Sequence, residues 1–164
     1  MGQVKTAGTP HIYNYPKSEY EAGTQNWGIT QDQKGFIYFA NNEGVLRFDG
    51  VHWNLIEVSE SSPVRSVFSA SDNTLYTGLF NDFGKLIQTQ NGRFTYKSLR
   101  NLIPENISDF DEIWKIHEIA EGIVFQSYDY LFILRNDSVR VIQPHNMFQY
   151  SFTVNGRLFL QEPG

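Results

Sequence analysis

Four stretches of the chain repeat one order of signals: a short strand, a polar turn, an aliphatic strand, a loop, and then two strands joined by an Asp-, Asn- or Gly-bearing turn. The fourth stretch stops half-way. Together with 40% apolar, 15% aromatic and only 19% charged residues in 164, that recurrence predicts an all-β fold, an incomplete β-propeller of about three and a half four-stranded antiparallel blades. The spacing carries the prediction. The second-strand aliphatics Ile37, Leu75, Ile123 and Leu158 are 38, 48 and 35 positions apart, and Trp53, Phe94 and Val139 of the fourth strands are 41 and 45 apart. A β-sandwich or an up-and-down barrel also shows short, evenly spaced strands. Neither predicts four recurrences of turn, aliphatic run and loop in the same order.

Residues 1–25 form a lead-in arm, in which Pro10 and Pro16 confine any extended segment to a sheet edge. Blade 1 occupies residues 26–58, with strands at 28–31, 36–40, 45–48 and 52–56. Asp49-Gly50 between its last two strands reads as a type I′ turn, because both central residues of that turn need positive φ. Blade 2 spans residues 64–99, with turns at Ser71-Asp72-Asn73 and Asn91-Gly92. Residues 100–112 are an inter-blade insertion, where Pro104 limits any helix to about one turn. Blade 3 covers 113–143 with turns at Glu121-Gly122 and Asn136-Asp137, and residues 148–164 supply the first half of blade 4, turning at Asn155-Gly156. Three and a half blades fall short of the four to eight or so at which propellers close. The expectation is therefore that the natural polypeptide continues past Gly164, with self-association of copies as the alternative.

Charge and composition exclude several functions. Thirteen Lys and Arg against 18 Asp and Glu, a net −5, give no basic footprint for a nucleic-acid backbone. With no cysteine there is neither a disulfide framework nor a thiolate metal site. No apolar run approaches the length of a membrane span, and Met1-Gly2 reads as a remnant standing where a signal peptide was removed. His11, His52, His117 and His145 are scattered without the paired spacing of a zinc site, so each reads as structural or surface-exposed, and no metal or cofactor is expected. Asp109, Asp111 and Glu112 alternate with apolar residues and read as a solvated acidic linker rather than a cation loop. No pair of carboxylates can be assigned as acid and base, which argues against a catalytic segment.

The stretches NWGITQDQKGFIYFANNEGVLRFDGVHW, TLYTGLFNDFGKL and VNGRLFLQEPG resemble two-component regulator propeller repeats, and the resemblance covers about residues 10–164. Such repeats occur in the extracytoplasmic sensor regions of bacterial hybrid histidine kinases and of related one-component regulators with a triple-tyrosine domain. The resemblance implies a periplasmic, ligand-sensing propeller segment responding to a glycan-like small ligand, with the remaining blades, the membrane anchor and the kinase or DNA-binding output on other sequence. A scaffold for protein–protein interaction is the alternative, and a propeller lyase or glycosidase a third.

Two sets of residues are candidates for the ligand. In a propeller, the loops joining second to third strands lie at one end of the channel, and here they offer Asn41, Asn42, Asn81, Asp82, Tyr128 and Asp129 as partners for hydroxyl groups. Trp27, Arg65, Trp114 and Tyr150 stand two residues before Ile29, Val67, Ile116 and Phe152. As equivalent first-strand positions they are expected to line a pocket where aromatics stack on sugar faces and Arg65 pairs with an acidic group. The opposing structural reading has Trp27 and Trp114 filling gaps between blades.

Overall fold

The computed structural model describes residues 8, 12–59 and 62–163. The expectations placed on Met1-Gly2 and His11 fall outside those residues. Blade 1 comprises β1 (Asn26–Gln31), β2 (Ile37–Asn41), β3 (Gly44–Phe48) and β4 (Trp53–Ile56). Blade 2 comprises β5 (Ser66–Ser69), β6 (Leu75–Gly78), β7 (Phe83–Gln88) and β8 (Phe94–Ser98). Blade 3 comprises β9 (Lys115–Ile119), β10 (Gly122–Gln126), β11 (Leu131–Arg135) and β12 (Ser138–Ile142). A two-stranded sheet follows, β13 (Tyr150–Val154) and β14 (Arg157–Gln161). Every pairing is antiparallel between consecutive strands, so each sheet is a meander. The first strands β1, β5, β9 and β13 lie next to one another in turn, as the inner strands of a propeller do.

The turns follow from residues that tolerate positive φ. Hairpins 32–36, 70–74 and 89–93 share one construction, in which the fourth residue bonds back to the first carbonyl (Gly35 N–H to Asp32 at 3.1 Å, Asn73 to Ala70 and Gly92 to Thr89 at 2.9 Å). Gly35, Asn73 and Gly92 occupy the left-handed position, at φ 89°, 63° and 81°. Two-residue type I′ turns occur at Asn136-Asp137 (φ 49° and 57°) and Asn155-Gly156 (φ 50° and 73°). Asp49-Gly50 is not one of them. Only Gly50 has positive φ, and residues 49–52 form a wider loop in which the Asp49 carboxylate accepts the backbone N–H groups of Val51 and His52 at 2.8 and 2.6 Å. Those two bonds, His52's first, hold the Asp49 carboxyl below its ordinary pKa. Asp side chains cap turns in this way as readily as they occupy positive φ.

Each blade buries its faces on its neighbours. Tyr38, Ala40, Val45 and Ile56 of blade 1 meet Val67, Leu75 and Leu86 of blade 2. Between blades 2 and 3 the core is aromatic: Phe83 is fully buried, stacked on Phe125 at 4.2 Å and near Phe132 at 5.1 Å. The insertion seals this seam. It makes one 3₁₀ turn, Arg100–Leu102, as Pro104 allows, and places Ile103 and Phe110 in the core. The lead-in arm also packs back on the chain. A single helical turn, α1 (Lys17–Tyr20), carries Tyr20 to Trp53, while Tyr15 lies edge-on to Phe48 and Trp53 at 5.2 and 5.1 Å, covering the blade 1 face that points away from blade 2.

Blade 3 holds the fourth sheet through apolar contact of Phe148 with Val124, Leu131 and Ile133, and through a polar chain. Gln126 Nε2 donates to the Phe148 carbonyl at 3.2 Å, Ser151 Oγ donates to Gln126 Oε1, and His117 Nε2 lies 2.7 Å from Ser151 Oγ. Burial, reinforced by Lys115, lowers the His117 pKa from 6.5. The folded chain therefore binds a proton at His117 less readily than the unfolded chain does, so this residue's contribution to stability is complete above about pH 6.5 and falls as pH drops through the folded value. Urea midpoints measured from pH 7.5 to 5 are expected to fall, and His117→Gln to flatten that slope. Phe83→Ala is expected to cost about 3–5 kcal/mol in the same assay.

Candidate functional site

Three of the four first-strand candidates meet at one end of the inner strands. A β-bulge between Asn26 and Gly28 takes Trp27 out of the β1–β2 ladder. Its ring is free to turn toward the neighbouring blades. The guanidinium of Arg65, just before β5, lies 4.2 Å from the Trp27 ring centroid and 5.4 Å from that of Trp114, just before β9. The two indoles are edge-to-face at 6.0 Å. Three blades thus contribute one side chain each to a cation–π group. Trp27 is fixed by an indole N–H bond to Asn42 Oδ1 at 2.7 Å and remains the most exposed member, at 38%.

Tyr150 does not join them. Arg65 N–H bonds to the Gly78 carbonyl and Trp114 N–H to the Gln126 carbonyl, both at 2.8 Å, and in the fourth sheet Gln149 N–H makes the matching bond to Gln161 at 2.8 Å. Gln149, not Tyr150, is therefore the equivalent position. The sequence alignment on Phe152 slipped by one residue, because Tyr150, Ser151 and Phe152 permit either register and a one-residue slip exchanges the faces of a strand. Tyr150 is exposed, and no ring contact links it to the group among the described residues.

The loop candidates divide into supports and rim. Asn41 is fully buried, its amide donating to the Gly23 carbonyl at 2.6 Å and to Asn26 Oδ1 at 2.8 Å while its own Oδ1 accepts Glu43 N–H. It holds the arm against blade 1. Asp82 accepts from Tyr96 Oη and Ser98 Oγ at 3.0 and 2.7 Å, tying the second loop to β8. Burial first, then Asp82, raises the Tyr96 pKa. Asn81 donates to Asp109 at 2.9 Å and accepts Phe110 N–H at 3.1 Å, docking the insertion. On the open side stand Asn42, Tyr128, whose ring lies 5.8 Å from Trp114, and Asp129, which accepts Asp111 N–H at 3.3 Å.

The acidic end of the insertion is not a solvated linker. Glu112 reaches back 47 positions to pair with Arg65 at 3.3 Å, and both side chains are mostly buried, at 20% and 17% exposure. A hydrogen bond with Asp111, then burial, raises the Glu112 pKa, with Arg65 acting against them. Local sequence patterning carries no signal for a partner so far along the chain. The pair neutralises the cation between the indoles. Two donors of the group, Arg65 Nε and Trp114 Nε1, are buried without an acceptor among the described residues. Chemically the site offers aromatic surface and, on its rim, amide and carboxylate groups.

No known family's sequence profile matches the chain, and no curated protein matches it by sequence. Its architecture matches solved structures closely. The fold is that of the β-propellers. The extracellular domain of a candidate one-component system from B. thetaiotaomicron superposes with a TM-score of 0.68 at 14% identity over 93% of this chain and 21% of that one. Virginiamycin B lyase from Staphylococcus aureus superposes at 0.63 with 17% identity over 85% of this chain, and a streptogramin B lyase at 0.64 with 19% identity over 86%. The chain spans about half the length of either lyase, 49% in each case. At these identities the likeness speaks for the propeller fold and leaves ligand and reaction to the side chains.

Asn41 and Asn42 are adjacent in sequence and opposite in role. Asn41→Ala is expected to lower stability by about 1–3 kcal/mol, because it leaves buried partners unpaired. Asn42→Ala is expected to stay within about 0.5 kcal/mol of the native chain, yet to alter tryptophan emission by releasing the Trp27 indole. Urea melts followed by fluorescence measure both.

Proposed function

We propose that this chain is a ligand-sensing segment of an extracytoplasmic bacterial propeller, acting by binding rather than by catalysis, and that its ligand is a glycan-like small molecule held at the Trp27–Arg65–Trp114 site. The observation that carries this reading is the meeting of one side chain from each of three blades, beside a rim of Asn42, Tyr128 and Asp129. Aromatic faces suit the apolar faces of sugar rings, and rim amides and carboxylates suit their hydroxyls. The structural likeness to an extracellular domain supports the location outside the cytoplasm. Among the described residues no helix is long and apolar enough to cross a membrane. Further blades, a membrane anchor and a kinase or transcriptional output are assigned to other parts of the parent protein, and direct nucleic-acid binding is assigned to none of this segment.

Arg65 is held by Glu112, so a neutral glycan that reads the rim fits better than an acidic one that must first displace Glu112. A panel of neutral and uronic-acid oligosaccharides, titrated while tryptophan emission is followed, tests this. A neutral member is expected to shift the emission saturably, with Trp27→Ala weakening it about tenfold, or about 1.4 kcal/mol. Emission unchanged across the panel overturns the glycan reading; saturation by a partner protein instead supports the scaffold.

A further inference from the structure

A second groove, away from the mouth of the channel where Trp27, Arg65 and Trp114 meet, lies between the outer strands of blades 1 and 2. It encloses about 920 Å³ and is lined by Arg47 and Asn54 of blade 1, by Asn91 and Arg93 of the β7–β8 turn, and by Glu57. Arg47 is the unusual member. Its guanidinium lies 3.9 Å from the Phe36 ring centroid and 5.8 Å from that of Phe94, bracketed between the two blades. Its Nε is buried without an acceptor. Neither Arg47 nor Arg93 has a carboxylate within 4.0 Å among the described residues. The nearby Asp32 accepts the Tyr38 hydroxyl at 3.0 Å, and that hydroxyl takes a hydrogen bond from Arg47 in turn. Asn54 is the cross-strand neighbour of Arg47. Asn91 spends its Oδ1 on Thr89 Oγ1 and Arg93 N–H, which leaves its amide N–H groups as donors.

In a chain of net charge −5, two guanidiniums without an ion-pair partner among the described residues and two amide donors against one carboxylate make a locally cationic pocket. A half-buried cation without a counter-charge is costly, and a guanidinium fixed by aromatic stacking is pre-organised for an oxyanion, which it binds through two parallel N–H bonds. Phe36 covers a face of the Arg47 plane, its Nε is closed in and the Tyr38 hydroxyl takes one of its hydrogen bonds, so a ligand meets the part of the terminal fork that remains.

We propose that this inter-blade groove is a second binding site, which takes an oxyanion group, carboxylate or phosphate, on Arg47 and Arg93. Being formed by two blades, the site is occupied only when they are packed as seen here, so an anion bound there fastens blade 1 to blade 2. It is independent of the glycan reading, since no residue is shared with the mouth.

The test titrates inorganic phosphate and, separately, acetate at constant ionic strength, observing the arginine Nε–H resonances and the melting temperature. A saturable shift of the Arg47 signal in the millimolar range is expected for at least one of them; phosphate alone identifies a tetrahedral ligand, and acetate as well admits carboxylates. Arg47→Gln is expected to weaken binding at least tenfold and Arg93→Gln several-fold, while Glu57→Gln tightens it about threefold and Arg140→Gln, at an exposed position of blade 3, changes nothing. Because Arg47→Gln could loosen the blade seam, the exposed Arg93 and Glu57 variants stand as independent arms. Non-saturating shifts, or identical titrations in the native, Arg93→Gln and Glu57→Gln chains, overturn the proposal.

Discussion

A four-stranded meander with two apolar faces cannot bury both by itself, and every other feature of this protein follows from how those faces are covered. The seam between blades 2 and 3 shows the solution most fully. Phe83 and Phe125 stack across it, Phe132 and Phe110 pack around them, and the inter-blade insertion closes the side that two flat sheets leave open. Burial of apolar and aromatic surface on this scale is the main favourable term in folding. It also sets the positions of β5 and β9, and with them the side chains that meet at the mouth.

The mouth is thus a by-product of packing that has acquired chemistry. A bulge frees Trp27 from its own ladder, an insertion brings Glu112 to Arg65, and buried amides at Asn41 and Asn81 hold the surrounding loops. The residues facing the opening are few. Most of the polar groups near it are consumed in holding backbone, as buried polar groups must be.

Much of this was legible in the residues alone. The period near forty, the alternation of short strands and the Gly and Asn turn positions locate the fourteen strands of the described residues to within a few residues, since turn chemistry and face periodicity are local properties. Three features were not legible for a shared reason. The turn at Asp49-Gly50 depends on whether the aspartate uses its backbone or its side chain. The place of Tyr150 depends on a one-residue register that Tyr, Ser and Phe satisfy either way. The role of Glu112 depends on a partner 47 positions distant, which composition reads only as acidic linker. The same blindness made Asn41 and Asn42 look alike, although one is buried and the other exposed.

The bulge at Trp27 has a mechanical consequence. Because Trp27, Arg65 and Trp114 belong to three separate sheets and touch, the inner strands are geared together at this end: pushing one indole aside must rotate a neighbouring sheet or break the stack. A push on Trp27 is therefore resisted by side chains of three blades and not by its own sheet alone.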